Sequence, residues 1–240
     1  MYASVLYNDD CNKVLCTLPD NSIDLVIIDP PYEITTGGSG GCFGYENKPH
    51  LAEVCRNKDF NSGISNDVLD ELTRILKKIN IYIWCNKEQL QQYINYFKNK
   101  NCFVDLLVWC KTNPVPTCNN KYLSDIEYLI FAREKGVKIY GSYNTKHKFY
   151  VTPVNKDDKK KYKHPTIKPL NIIENLIINS SKESDVVLDC FMGTGTTGVA
   201  CKKLNRLFVG IEINKEYFNT AIKRIEETNE KEEENNDTNR

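Results

Sequence analysis

The segment Asp24 to Tyr32, DLVIIDPPY, sets a buried apolar run directly against a carboxylate, two prolines and a tyrosine. Leu25, Val26, Ile27 and Ile28 read as a strand covered on both faces, the pattern of a parallel α/β sheet. Pro30 and Pro31 offer no backbone donor and fix φ near about −65°, so after Asp29 the chain can neither extend the ladder nor enter a helix interior. In open α/β sheets ligands collect at the carboxyl ends of the strands. Asp29, Pro30, Pro31 and Tyr32 are therefore expected to face a crevice together, because a buried strand end has no structural need for an acid.

A second segment, VVLDCFMGTGTTG from Val186 to Gly198, puts Gly193, Gly195 and Gly198 in GxGxxG spacing after a strand and at the mouth of a helix, and Glu212 ends the next strand. Such glycines allow a tight turn and close backbone approach to a nucleoside-bearing cofactor, and the acid suits ribose hydroxyls. Bland readings stand beside these: Gly198 serves close helix packing, Asp189 is a helix N-terminal acid, and His164 caps a turn. The position of the loop is the more telling fact. Only one strand and one helix follow it, so earlier residues must complete the sheet. The expected fold is α/β: a doubly wound, circularly permuted Rossmann-like sheet of about seven strands with helices on both faces. In that fold the Gly193 loop and the Asp29 corner lie side by side.

The 240 residues suit one domain, expected over 1–226. Formal charge is zero, yet Glu226 to Arg240 holds seven acids against two bases, leaving +5 on the body. Residues 227–240 are expected to be a disordered acidic tail. The Gly- and Asn-rich stretch 33–63, with GGSGG at 37–41, reads as a mobile loop. Between Asn144 and Lys163 the charge reverses, with seven lysines against two aspartates, and Tyr143, Phe149, Tyr150 and Tyr162 are interleaved. Lys146, Lys148, Lys159, Lys160, Lys161 and Lys163 are the candidate contacts to a polyanion, set against a plain solvated loop. The ten cysteines form no CxxC pair and the three histidines are scattered, so no metal site is legible. No run reaches the about 20 apolar residues of a membrane span and the N-terminus lacks a signal-peptide pattern, so a cytoplasmic protein, or a nuclear one in a eukaryote, is expected.

DPPY at 29–32, HPTIKP at 164–169 and DCFMGTGTT at 189–197, in that order, resemble the amino-methylating DNA methyltransferases of the β arrangement, whose catalytic half precedes the S-adenosylmethionine half. The likeness extends to about Glu226. It implies that Asp189, Phe191, Gly193, Gly195, Thr196 and Thr197 line the methionine end of S-adenosylmethionine, that Glu212 binds its ribose, and that Asp10 accepts from its adenine amino group. It also implies Thr166 and Lys168 as polar contacts closing over that cofactor, although Ile167 stands where the family more often has Gln. Residues 135–163 fall where the family places a target-recognition region, here short.

The implied reaction is methyl transfer to an exocyclic amine of a base flipped out of double-stranded DNA, with Asp29 and the Pro30 carbonyl as acceptors and Tyr32 stacking on the base. Asp at position 29 favours adenine N6, since relatives acting on cytosine N4 more often carry Ser there; cytosine N4 stays open, as do RNA as substrate, a homodimer and a restriction endonuclease partner. The rival readings are an NAD enzyme, which leaves DPPY unexplained, and a non-catalytic nucleic-acid-binding subunit, which usually loses the acid or the glycines that this chain keeps.

Overall fold

The computed structural model describes residues 3–31, 63–114, 116, 120, 122–162 and 166–237, with side chains as far as 228. Tyr32, the 33–62 stretch, Lys163, His164 and 238–240 lie outside the described residues.

Among the described residues, eight strands form one sheet: β1 Ser4–Tyr7, β2 Leu25–Ile28, β3 Asn80–Cys85, β4 Phe103–Lys111, β5 Ile126–Arg133, β6 Phe149–Thr152, β7 Val186–Asp189 and β8 Leu207–Ile211. Their order is β1-β8-β7-β2-β3-β5-β4-β6. The first five in that order are mutually parallel, β5 runs antiparallel to both β3 and β4, and β6 is parallel to β4. β5 alone therefore opposes the rest. The eighth strand, beyond the expected seven, is β6; it lies inside the lysine-rich segment, whose charge hides the short run FYVT.

Among the described residues, seven helices accompany the sheet. α1 Cys11–Leu15, α2 Asn66–Ile75 and α3 Leu90–Asn99 precede the strand reversal, and α4 Lys156–Tyr162, α5 Leu170–Ser180, α6 Thr196–Lys203 and α7 Lys215–Asp237 follow it. Alternation along the strands sends Val26, Ile28, Ile81 and Ile83 to one face, against Leu15, Leu69, Leu72 and Phe97 of α1 to α3. Leu25, Ile27, Tyr82 and Phe208 go to the other, against Ile173, Leu176, Ala200 and Ala221 of α5 to α7. Both faces are thus buried, which is why the strands read as continuous apolar runs. Ser65 caps α2 by accepting from the Val68 N–H at 3.4 Å.

The backbone of α7 continues to Asp237, through the segment 227–237 expected as an acidic tail. Glu and Lys are good helix formers, and the Lys223–Glu227 pair at i,i+4 supports the turn where the tail begins. No helix among the described residues is long and apolar enough to cross a membrane.

Candidate active site

The carboxyl ends of β2 and β7 are neighbours, with Leu25 beside Val187 and Val26 beside Leu188. This pairing brings the Asp29 corner against the glycine loop, although 160 residues separate Asp29 from Asp189 in sequence. Asp29, Trp84, Thr166, Lys168, Asp189, Phe191, Thr194, Thr196 and Thr197 line one cleft. The side-by-side placement expected from the permuted order is what the structure has.

Local chemistry fixes each wall. At the corner, the Pro31 carbonyl accepts from the Gln89 side chain at 3.3 Å, and buried Gln89 also donates to the Tyr93 hydroxyl at 3.2 Å. α3 thereby holds the segment after Pro30 in place. In the loop, Gly193 and Gly195 have φ of 51° and 81°, and the Gly193 N–H donates to Glu212 at 2.9 Å. Asp189 accepts from the Thr197 hydroxyl at 2.6 Å and from the Phe191 N–H at 3.1 Å. Burial pushes its carboxyl up to about 7; those two hydrogen bonds pull the other way, and Asp29 and Glu212 add to the rise. Glu212 is also raised by burial, against the N–H groups of Asn214 and Gly193.

Asp10 follows β1, whose end lies beside that of β8 through Tyr7 and Ile211. It caps α1, accepting from the Asn12 N–H at 2.8 Å. Burial pushes the neighbouring Cys11 thiol up to about 11, with Asp10 and Glu212 adding to the effect, so the two acids flank one corner of the sheet edge. Gly198 takes the packing reading: a Cβ there would come within 2.5 Å of Ile225 and 2.8 Å of Phe208.

Other cleft residues carry no sequence signal of their own. Trp84 is the last but one residue of β3, the neighbour of β2, and its ring lies under the Lys168 ammonium at 5.0 Å. Arg224 of α7, buried, donates to the Thr194 carbonyl at 2.7 Å and the Thr196 hydroxyl at 3.3 Å, bracing the glycine loop from behind. Its guanidinium stacks on Tyr162 of α4 at 4.1 Å. Glu127, at the start of β5, meets Lys168 at 3.1 Å and Lys111 at 2.7 Å. A lone acid in the apolar run IEYLIFA is the one hint that was available.

The candidate polyanion contacts divide. Lys160 and Lys161 are exposed on α4, and Lys148 pairs with Asp105. Lys159 is half-buried and turned inward, where burial lowers its pKa together with repulsion from Lys111 and Lys168, against the pull of Glu127.

Residues 23–223 match the N6/N4 methyltransferase family described as DNA methylase. The chain belongs to the DNA methylase family. Among curated relatives of this DNA methyltransferase, the type II methyltransferase M2.LlaDCHI of Lactococcus lactis subsp. cremoris is 32% identical, with 92% of this chain and 89% of that one covered. M2.DpnII of Streptococcus pneumoniae is 31% identical, covering 94% and 91%. Among solved structures, the M1.HpyAVI–SAM complex superposes with a TM-score of 0.68 at 28% identity over 92% of this chain and 98% of that one. The PvuII DNA methyltransferase, cytosine-N4-specific, has a TM-score of 0.69 at 16% identity over 93% and 86%, a likeness of fold.

Proposed function

We propose that this DNA methyltransferase transfers the methyl group of S-adenosylmethionine to the N6 amine of an adenine flipped out of double-stranded DNA. The observation that carries the reading is the shared cleft of Asp29 and the glycine loop. The residues present fit the cofactor. The left-handed turn at Gly193 and Gly195 brings the loop backbone to the cleft, and carboxylates stand at or just past the ends of β1, β7 and β8 for its hydroxyl, amino and cationic groups. Phe191 and Thr196 belong to the same wall.

S-adenosylmethionine supplies an electrophilic sulfonium methyl. The amine of the base is reluctant because its lone pair is delocalised into the ring. Asp29 and the Pro30 carbonyl are acceptors for the two amine hydrogens, which turns the lone pair toward the methyl and offsets positive charge as it forms on nitrogen. A strong base is not needed, because the alkylated amine is acidic enough to lose its proton afterwards. Flipping costs a few kcal/mol, part of which Tyr32 returns by stacking. Asp rather than Ser at position 29 supports adenine over cytosine. Purified protein, unmethylated DNA and S-adenosylmethionine, followed by sequencing of modified bases, test this directly; N4-methylcytosine or no modification would overturn it.

Asp189 makes cofactor affinity depend on pH. Its folded pKa, about 7, lies above the usual 3.8 of an unfolded chain, so the ionised form costs the cofactor-free fold stability above pH 7. That cost is relieved as pH falls. A sulfonium nearby favours the ionised form, so affinity should weaken up to about tenfold per pH unit between pH 7 and 6, and Asp189→Asn should flatten the dependence. Calorimetric titration across that range checks it.

Neutralising Lys159, Lys160 and Lys161 together should lower DNA affinity about tenfold at 0.1 M salt and reduce the salt slope by about 2, since Lys159 faces inward. Fluorescence anisotropy at three salt concentrations measures both; an unchanged slope places the contact surface elsewhere.

A further inference from the structure

Lys168 reaches into the cleft from the segment ahead of α5, with 7% of its side chain exposed. Its ammonium meets Asp29 Oδ2 at 2.5 Å and Glu127 Oε2 at 3.1 Å, and the other oxygen of Glu127 meets Lys111 at 2.7 Å. The four groups form an alternating row, Asp29, Lys168, Glu127, Lys111, drawn from β4, β5 and the segments after β2 and before α5. Burial works against an ammonium, yet Asp29 and then Glu127 outweigh it and raise the Lys168 pKa. Burial likewise works against the Glu127 carboxylate, and Lys168 and Lys111 overcome it, holding Glu127 down to about 2. Both are charged throughout the neutral range.

A lysine that only touched the cofactor would need neither a second carboxylate nor a second lysine behind it. Building on the role given to Asp29 above, we infer that Lys168 is a positioning residue for Asp29, keeping that carboxylate paired and aimed, and that Glu127 anchors Lys168. Charge balance explains why both are required. An ammonium against Asp29 alone favours the carboxylate form but also repels the positive charge that grows on the amine of the base. Glu127, on the same ammonium, offsets that repulsion. The row therefore pairs the Asp29 carboxylate with a cation without leaving an excess of positive charge beside the amine.

Other titratable groups face Asp29. Burial first, and Asp29 next, push the Cys85 thiol of β3 up to about 12, so it stays neutral. Asp189 of β7, raised to about 7 mainly by burial, titrates in the range studied, and Lys159 of α4 lies within electrostatic reach of Lys168. Lys168 is one of the charges that lower Lys159, so Lys168→Arg, which keeps that charge, is the reference against which the Lys168→Gln profile is read.

The test is single-turnover methyl transfer to duplex DNA at saturating S-adenosylmethionine from pH 5.5 to 8.5, with cofactor Kd and thermal melting measured on each protein. Lys168→Gln is expected to move the acid limb of the rate profile up by about one pH unit or more and to slow transfer about tenfold at pH 6.5, with recovery toward alkaline pH. Cofactor Kd should change less than about threefold. Lys168→Arg should keep the wild-type limb. Glu127→Gln, which leaves Asp29 its ammonium, should slow transfer at every pH without moving the limb, and this variant carries the test if Lys168→Gln melts below assay temperature. A Lys168→Gln limb superposable on wild type, a loss confined to cofactor Kd, or an unchanged rate in Glu127→Gln overturns the inference while leaving the methyltransferase reading intact. No transfer by the wild-type protein overturns that reading and the inference with it.

Discussion

Asp29→Ala should lower methyl transfer by at least about a thousandfold while cofactor affinity stays within about threefold of wild type. Removing a preorganised group aimed at developing charge costs about 10²–10³ in rate. Here the same carboxylate also orients the nucleophile, so the loss should reach or pass the upper end. The glycine loop and the acids behind it lie on and beside β7, α6 and β8, where Asp189 is held by Thr197 and Phe191 and the Gly193 N–H by Glu212. Cofactor binding is thus separable from chemistry. The buried Lys168 loses one carboxylate in this variant but keeps Glu127 at 3.1 Å, so the fold should survive with a lowered melting temperature. Asp29→Asn keeps an acceptor oxygen without the charge and should fall between, about 10- to 100-fold slower than wild type. Rapid-quench transfer from labelled cofactor, beside calorimetric Kd values, measures both quantities. Asp29→Ala activity above about a tenth of wild type would remove the carboxylate from the mechanism.

The parts of this site that were legible in the sequence are those whose chemistry interrupts a local pattern. Asp29 closes an apolar run and is followed by two prolines, and Gly193 and Gly195 sit where a strand must turn into a helix. Their meeting in one cleft followed from a simple topological demand: a cofactor loop so near the chain's end needs its sheet completed from the front. The Lys111–Glu127–Lys168 row could not be read that way. Strand carboxyl ends are the places to look for site residues, yet Glu127 starts its strand. It reaches the carboxyl edge only because β5 is reversed, which pairs Glu127 with Trp109 and Tyr128 with Cys85. Direction of a strand depends on pairings between distant segments, not on its own residues. Arg224 was hidden for a related reason. It lies on a helix whose sequence grades into a charged tail, and only the packing of α7 against α6 turns it inward to Thr194. The same charge bias concealed the helical continuation to Asp237 and the short strand β6.

Gly195→Val should abolish measurable cofactor binding and lower stability by about 2–5 kcal/mol, because two independent obstacles coincide at one residue. The first is conformational: φ is 81°, in the left-handed region, which costs an L side chain about 1–2 kcal/mol and a β-branched one more. The second is steric. A Cβ on Gly195 would lie 2.9 Å from the Ala221 Cβ and 3.0 Å from its Cα, both on the buried face of α7, and overpacking of this kind costs about 1–3 kcal/mol. Neither is relieved by a side-chain rotation, since the contacts involve backbone and a methyl group. The loop must shift instead. Gly195 precedes α6 directly and its N–H donates to the Met192 carbonyl at 2.8 Å, so a shift there disturbs the turn that holds Gly193 on Glu212. For a chain of this size the loss corresponds to a fall of roughly 5–15 °C in melting temperature. Combining Gly195→Ala with Ala221→Gly removes the methyl contact at 2.9 Å but keeps the backbone strain and the 3.0 Å approach to the Cα of residue 221. The double variant should therefore recover part of the stability lost by Gly195→Ala alone, with little recovery of cofactor affinity if loop geometry is what binding requires. Full recovery of both would mean that the collision with α7, rather than the left-handed turn, is what makes glycine necessary.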